Sequence, residues 1–279
     1  MSEPESTIPV DEKPAPDESH NGADLDGATP MSFLDHLAEL RDRIIRMIMS
    51  VLLMMLVAFF FSNDIIKFLL YPPIILPGIE PPIKLMKPVI TQVQGLMMVK
   101  IQVGLMAGII LSLPVILIQL WRFISPGLKK REKRYAIPVI FAATLCFLIG
   151  AVFAYLIVIP ITLNFLLTMG EIDKDLGIVV QNMIDVESYL GFVSGFMLIS
   201  GLTFELPVIA FFLTKIGILT PAFMRHYWRH AAIGCLLIAA VVTPTTDMIT
   251  MMVVAVPMVL LYEVSIWVSK IALRKKKDE

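Results

Sequence analysis

Two carboxylates in this chain stand among cations. Glu132 is the single acid of the stretch Arg122 to Arg134, in which six of thirteen residues are Lys or Arg. Glu39 lies in His36-Leu-Ala-Glu-Leu-Arg41 and is followed by Asp42 and Arg43. Neighbouring bases keep a carboxylate ionised. An ionised carboxylate binds a guanidinium through two parallel charge-assisted hydrogen bonds, a geometry that an ammonium does not reproduce. The chemistry open to such groups is recognition of arginine. Each also has a plainer reading: Glu39 and Arg43 have the i, i+4 spacing of a helix-surface pair worth about 0.2 to 0.5 kcal/mol, and Glu132 dilutes repulsion among Lys129, Lys130, Arg131, Lys133 and Arg134. A third carboxyl, Glu205 in Leu202-Thr-Phe-Glu-Leu-Pro207, interrupts an apolar run. At membrane depth a carboxyl costs about 2.5 to 3.5 kcal/mol on insertion scales, so it faces protein, water or a partner. Two readings follow: a protonated carboxyl hydrogen-bonded to a neighbouring span, or a polar notch on a helix bent by Pro207. Glu263, close to Lys270, reads as an interfacial acid paired with a nearby base.

Other reactive groups are sparse. His226 and His230 share one helix face at i, i+4, but no Cys or third His lies near, so a solvated face is expected and no metal site. His20 and His36 also fall outside the apolar segments, which argues against an intramembrane Ser-His protease; a His-Glu-x-x-His pattern is absent from the sequence. Cys146 and Cys235 lie within apolar segments and read as small packing residues. No enzymatic activity, cofactor or nucleic-acid partner is expected.

The elements that position these groups follow from composition. With 57% hydrophobic residues and a mean hydropathy of +0.80, the chain is a polytopic, all-α integral membrane protein. Residues 1–30 hold eight acids, one Lys and five prolines, and are expected to be a disordered tail. Ser32 to Arg46 has Phe33, Leu37, Leu40 and Ile44 on one helical face and leads into span 1. Six spans are expected in a membrane domain of residues 31–274, at about 44–61, 100–118, 136–159, 189–214, 231–242 and 248–268, with residues 275–279 as a charged end. The proline-rich stretch Ser62 to Leu96 is expected to be an outer cap. Lys and Arg set the orientation: from Ser32 onward seventeen fall in segments read as inner and four in segments read as outer. Short basic loops stay in the cytoplasm, so both termini are expected there, in the cell membrane. Spans 5 and 6 are expected to be short, span 5 having twelve apolar residues or about 18 Å of helix against a hydrocarbon core of roughly 30 Å.

The sequence resembles the TatC family, the multi-span core of the twin-arginine protein translocase. The likeness rests on His36-Leu-Ala-Glu-Leu-Arg41; Leu113-Pro-Val-Ile-Leu117 with Gln119-Leu-Trp-Arg-Phe-Ile-Ser-Pro-Gly127; Glu132 among its bases; Gly150-Ala-Val-Phe-Ala-Tyr155 with Pro160; Phe204-Glu-Leu-Pro207; Thr243-Pro244 with Asp247; and Ala255-Val-Pro257. The resemblance implies a concave, glove-like bundle and a receptor for folded cargo whose signal peptide carries an arginine pair. It also implies a multimeric complex with small single-span TatA/TatB-type subunits, powered by the proton gradient. On the resemblance, Glu39 and Glu132, with Arg41, Phe123 and Pro126, bind the signal peptide. Glu205 becomes an intramembrane polar site, and Asp247, Met251 and Tyr155 belong to partner docking. A proton-coupled small-solute transporter using Glu205 as proton carrier is the alternative.

Overall fold

A computed structural model describes residues 33–70, 87–125, 136–169, 183–243 and 248–277. Glu132, Pro126, Asp247 and the acidic tail 1–30 lie outside the described residues. The chain divides into two compact units, Met1–Ala38 and Glu39–Glu279, and all packing below is within the second.

The elements are helices α1 (Phe33–Phe60) and α2 (Ser62–Leu70), strand β1 (Lys87–Val89), α3 (Gly95–Ile124), α4 (Ala136–Phe153), a π-helical turn (Ala154–Val158), α5 (Ile159–Met169), strand β2 (Met183–Asp185), α6 (Val186–Phe204), α7 (Leu206–Lys215), α8 (Pro221–His226), α9 (Trp228–Val242) and α10 (Met248–Lys277). Among the described residues, five helical stretches are long and apolar enough to cross a membrane: Leu37–Phe60, Gly95–Ile124, Ala136–Leu166, Val186–Lys215 and Met248–Arg274; at 27 residues the last is longer than the short span 6 expected from the sequence. The shorter apolar helix Trp228–Val242 is the sixth. At about 22 Å its 15 residues fall short of a 30 Å core.

Proline decides several boundaries. Pro207 and Pro221 sit in the first turns of α7 and α8, where no intrahelical N–H bond is lost. The third membrane stretch does not stop at Pro160 as the sequence pattern suggests. The π-helical turn widens the backbone just before the ring, and the helix runs on to Met169. The two strands, three residues each, pair in parallel with Lys87 opposite Met183 and Val89 opposite Asp185.

The buried centre gathers Val99, Val103, Leu190, Val193, Ile159 and Phe196 from α3, α5 and α6. Lipid supplies no hydrophobic drive between helices, so close approach of small residues does that work. Gly150 of α4 lies where an added Cβ would meet the Ser200 carbonyl at 2.7 Å and the Phe204 Cβ at 2.8 Å. Along α7 and α10, the hydroxyls of Thr214 and Ser269 hydrogen-bond at 2.6 Å in a buried seam. By contrast α1 turns most of its large apolar residues outward, Leu52, Leu53 and Leu56 being 51%, 58% and 59% exposed, as expected of a helix that faces lipid.

Candidate functional site

One close crossing places α1. An added Cβ on Gly108 of α3 would lie 2.7 Å from the Met55 backbone nitrogen, and one on Gly104 would lie 3.6 Å from the Met55 carbonyl oxygen and 3.9 Å from Phe59 Cα. Gly104-Leu-Met-Ala-Gly108 is thus a small-xxx-small seam onto which the α1 backbone docks. Higher numbers on α1 meet lower numbers on α3, so the two helices run antiparallel. Glu39 precedes Met55 by sixteen residues and Phe123 follows Gly108 by fifteen, each about 23 Å of helix from the crossing. The crossing therefore brings Glu39 and Phe123 to the same end and the same depth. The ends joined by residues 126–135, which include Glu132, are Ser125, immediately after α3, and Ala136 of α4.

At that end Glu39 and Asp42 each hold an arginine. Glu39 Oε1 accepts from Arg43 Nε at 3.1 Å and also from Arg43 Nη2. The two side chains are largely covered, at 22% and 12% exposure. Arg41 is turned to water instead, with Nε and Nη2 at 3.2 and 3.1 Å from Asp42 Oδ1. Phe123 is half-buried near the end of α3. The sequence had marked the Glu39–Arg43 spacing; what it did not supply is how far both side chains are removed from water.

Glu205 sits at the break itself. Helix α6 ends at Phe204, α7 starts at Leu206, and Glu205 is the shared cap residue, 5% exposed. Its backbone carbonyl accepts from Ile209 N at 2.9 Å, while Thr203 returns its hydroxyl to the Ile199 carbonyl at 2.8 Å. Among the described residues the carboxyl oxygen Oε1 is buried without a hydrogen-bond partner.

At the opposite end two tyrosines hold α2. Tyr155, in the π-helical turn, donates its hydroxyl to the Phe68 carbonyl and stacks on the Phe68 ring with centroids 4.8 Å apart. Tyr189 of α6 donates to the Leu69 carbonyl at 3.2 Å. These are last-turn carbonyls with no partner inside α2, so the phenols complete its end. Tyr155 is 3% exposed. Tyr189 was not anticipated; its position where an apolar span meets a polar segment was the available signal. Next to it, Asp185 caps α6, accepting from Ser188 N at 3.0 Å, and takes the Thr91 hydroxyl at 2.7 Å. Those bonds, Thr91 first, lower its carboxyl to about 2 from an ordinary 3.8.

Glu263 pairs with Arg225, whose Nη1 lies 2.9 and 2.8 Å from its two oxygens, and not with Lys270. Helix α8 brings Arg225 alongside α10, a long-range contact that spacing along one helix cannot show. His226 and His230 flank Tyr227 as ring contacts at 4.9 and 5.6 Å. Among the described residues no group of three His, Cys, Asp or Glu side chains gathers. Met251 packs partly buried against the central core.

Residues 35–257 match the family model described as TatC, Sec-independent protein translocase protein. The chain is 35% identical to the Sec-independent protein translocase protein TatC of Aquifex aeolicus, over 89% of this chain and 98% of that protein. It is 35% identical to that of Deinococcus radiodurans, over 96% and 92%, and 36% identical to TatCy of Bacillus subtilis, over 88% and 91%. A crystal structure of the twin arginine translocase receptor TatC superposes with a TM-score of 0.72 at 34% identity, covering 85% of this chain and 99% of that one.

Proposed function

The chain belongs to the TatC family of Sec-independent protein translocases, as a multi-pass membrane subunit of the twin-arginine translocation system, and from that premise we propose that it is the receptor in which Glu39 and Glu132 recognise the arginine pair of a folded cargo's signal peptide. The observation that carries this is the Glu39 carboxylate, part-buried and already holding a guanidinium, that of Arg43. A site that seats Arg43 has the shape and charge to seat a signal arginine in exchange. Phe123, placed at the same depth by the antiparallel crossing, offers an apolar wall, and the family resemblance assigns Arg41 and Pro126 to the same site. The surrounding bases repel cations that make no close contact, which favours arginine over lysine.

In this reading both termini are cytoplasmic and the chain resides in the cell membrane, as its distribution of bases supports. It is not an enzyme. It works in a multimeric complex with single-span TatA/TatB-type subunits, driven by the proton gradient. Asp247 and Met251, around the junction of α9 with α10, form the docking edge, and Tyr155 contributes by fixing α2. Glu205 supplies a polar notch for an inserting or docking segment. The solute-transporter alternative has no support from the fold or the relatives.

Export of a folded reporter behind a twin-arginine signal, in a strain lacking its own subunit, tests the reading. The wild-type chain should restore export, and Glu205→Gln should accumulate normally yet export more slowly. No export by the wild-type chain together with its partner subunits contradicts the translocase role. Full-speed export by Glu205→Gln contradicts the notch.

A further inference from the structure

Two tryptophan–cation pairs stand exposed at the end of the protein where α8 meets the second half of α10. The Arg229 guanidinium lies 5.8 Å from the Trp228 ring centroid, and Lys270 Nζ lies 5.9 Å from that of Trp267. The indoles are 44% and 67% exposed. A clamp fixes these elements to one another: Arg225 on Glu263, and the Tyr262 hydroxyl on the Met224 carbonyl at 2.8 Å.

The clamp also leaves a net charge. From Leu206 to Arg274 the sequence has two acids, Asp247 between α9 and α10 at the far end of both, and Glu263. Glu263 is occupied by Arg225. Among the described residues, no ion pair reaches Arg229, Lys270 or Arg274. On α10 the order is Trp267, then Lys270 and Arg274 at helical spacings of three and four, all exposed on one face. That sets the cations about 5 and 10 Å beyond the indole along the axis. In a membrane helix an indole settles at the interface, and cations one and two turns farther lie among the phosphates. Trp228 and Arg229 begin α9, a helix too short to cross the core unless headgroups approach its end.

We infer that this end of the protein recruits anionic phospholipids of the bilayer, one at each indole–cation pair, with the phosphate on Arg229 or Lys270 and the acyl chains along the neighbouring indole. Charge complementarity selects the lipid class. A zwitterionic headgroup would need an anion for its amine as well as a cation for its phosphate, and among the described residues of α7 to α10 the one carboxylate, Glu263, is held by Arg225. An anionic headgroup requires only the cations. The inference does not depend on the receptor reading.

The protein carries its own probe, since its three tryptophans are Trp228, Trp267 and the buried Trp121, 9% exposed. The full chain is reconstituted in mixed phosphatidylcholine–phosphatidylglycerol vesicles in which one lipid or the other bears brominated acyl chains at equal mole fraction. Tryptophan quenching by the brominated phosphatidylglycerol should exceed that by brominated phosphatidylcholine by at least about twofold, and salt should reduce the excess. The excess should vanish in Arg229→Gln/Lys270→Gln and persist in Arg229→Lys/Lys270→Arg. Equal quenching of the wild-type chain by the two lipids overturns the inference without any variant having to fold. A Gln double variant that keeps its melting temperature and the full excess overturns the assignment to these two cations.

Discussion

Arg43 sets its guanidinium on the carboxylate of Glu39, one helical turn away, with Nε 3.1 Å from Oε1. The carboxylate proposed to receive a signal arginine thus carries an arginine of its own chain, and binding is an exchange of one guanidinium for another. Arg43→Ala removes the resident competitor. An i, i+4 pair this covered contributes about 0.5 to 1 kcal/mol, so a labelled twin-arginine peptide should bind about two- to fivefold more tightly to the variant. Fluorescence anisotropy in detergent reads this directly. Weaker binding would mean that Arg43 shapes the site rather than competes for it.

The depth of Glu39 depends on Gly108. An added Cβ there would lie 2.7 Å from a backbone nitrogen and 2.8 Å from Met55 Cα, atoms that cannot rotate away, whereas the same atom on Gly195 finds nothing within 4 Å. Gly108→Ala should cost about 1 to 3 kcal/mol as overpacking and displace α1, while Gly195→Ala should stay within about 0.5 kcal/mol. Thermal unfolding of the two variants in detergent gives the comparison. Equal stability would remove the crossing as the determinant of α1 position.

Asp185 gives the opposite end a pH dependence of known sign. Hydrogen bonds from Thr91 and Ser188 hold its folded carboxyl at about 2, below the ordinary 3.8. A depressed value means the contribution is complete above 3.8 and is lost as the pH falls from there through 2. Asp185→Asn, which lacks the titration, should be less stable than wild type at neutral pH and approach it as the pH falls into that window. Melting temperatures across the acid range measure the difference, and a constant gap would deny the capping role.

Much of this arrangement is legible in the residues themselves. A hydropathy pattern with bases at alternate junctions yields an all-α multi-span fold because lipid forces every backbone group to bond within its own segment. Glu39 with Arg43 and the break at Glu205–Pro207 are local signals on single helices. What the sequence hides is long-range. Nothing along α10 says that Glu263 will choose Arg225 over Lys270, because that depends on where α8 folds back. Nothing around Tyr155 in the sequence says that its hydroxyl will reach the Phe68 carbonyl, 87 residues away. The seam at Gly104 and Gly108 and its partner, Met55, emerge only from the packing. Pro160 marks a span end by pattern, yet the π-helical turn before it lets the helix continue.

Binding of a twin-arginine signal peptide to the purified chain and to Glu39→Gln and Glu132→Gln, beside a peptide with both arginines changed to lysine, tests the receptor claim most directly. Charged hydrogen bonds of this kind are worth about 1.5 to 3 kcal/mol, so each variant should lose roughly ten- to hundredfold in affinity. The lysine peptide should bind the wild-type chain as weakly and lose little more on either variant. Wild-type affinity in both variants would contradict the assignment of Glu39 and Glu132 as the arginine site.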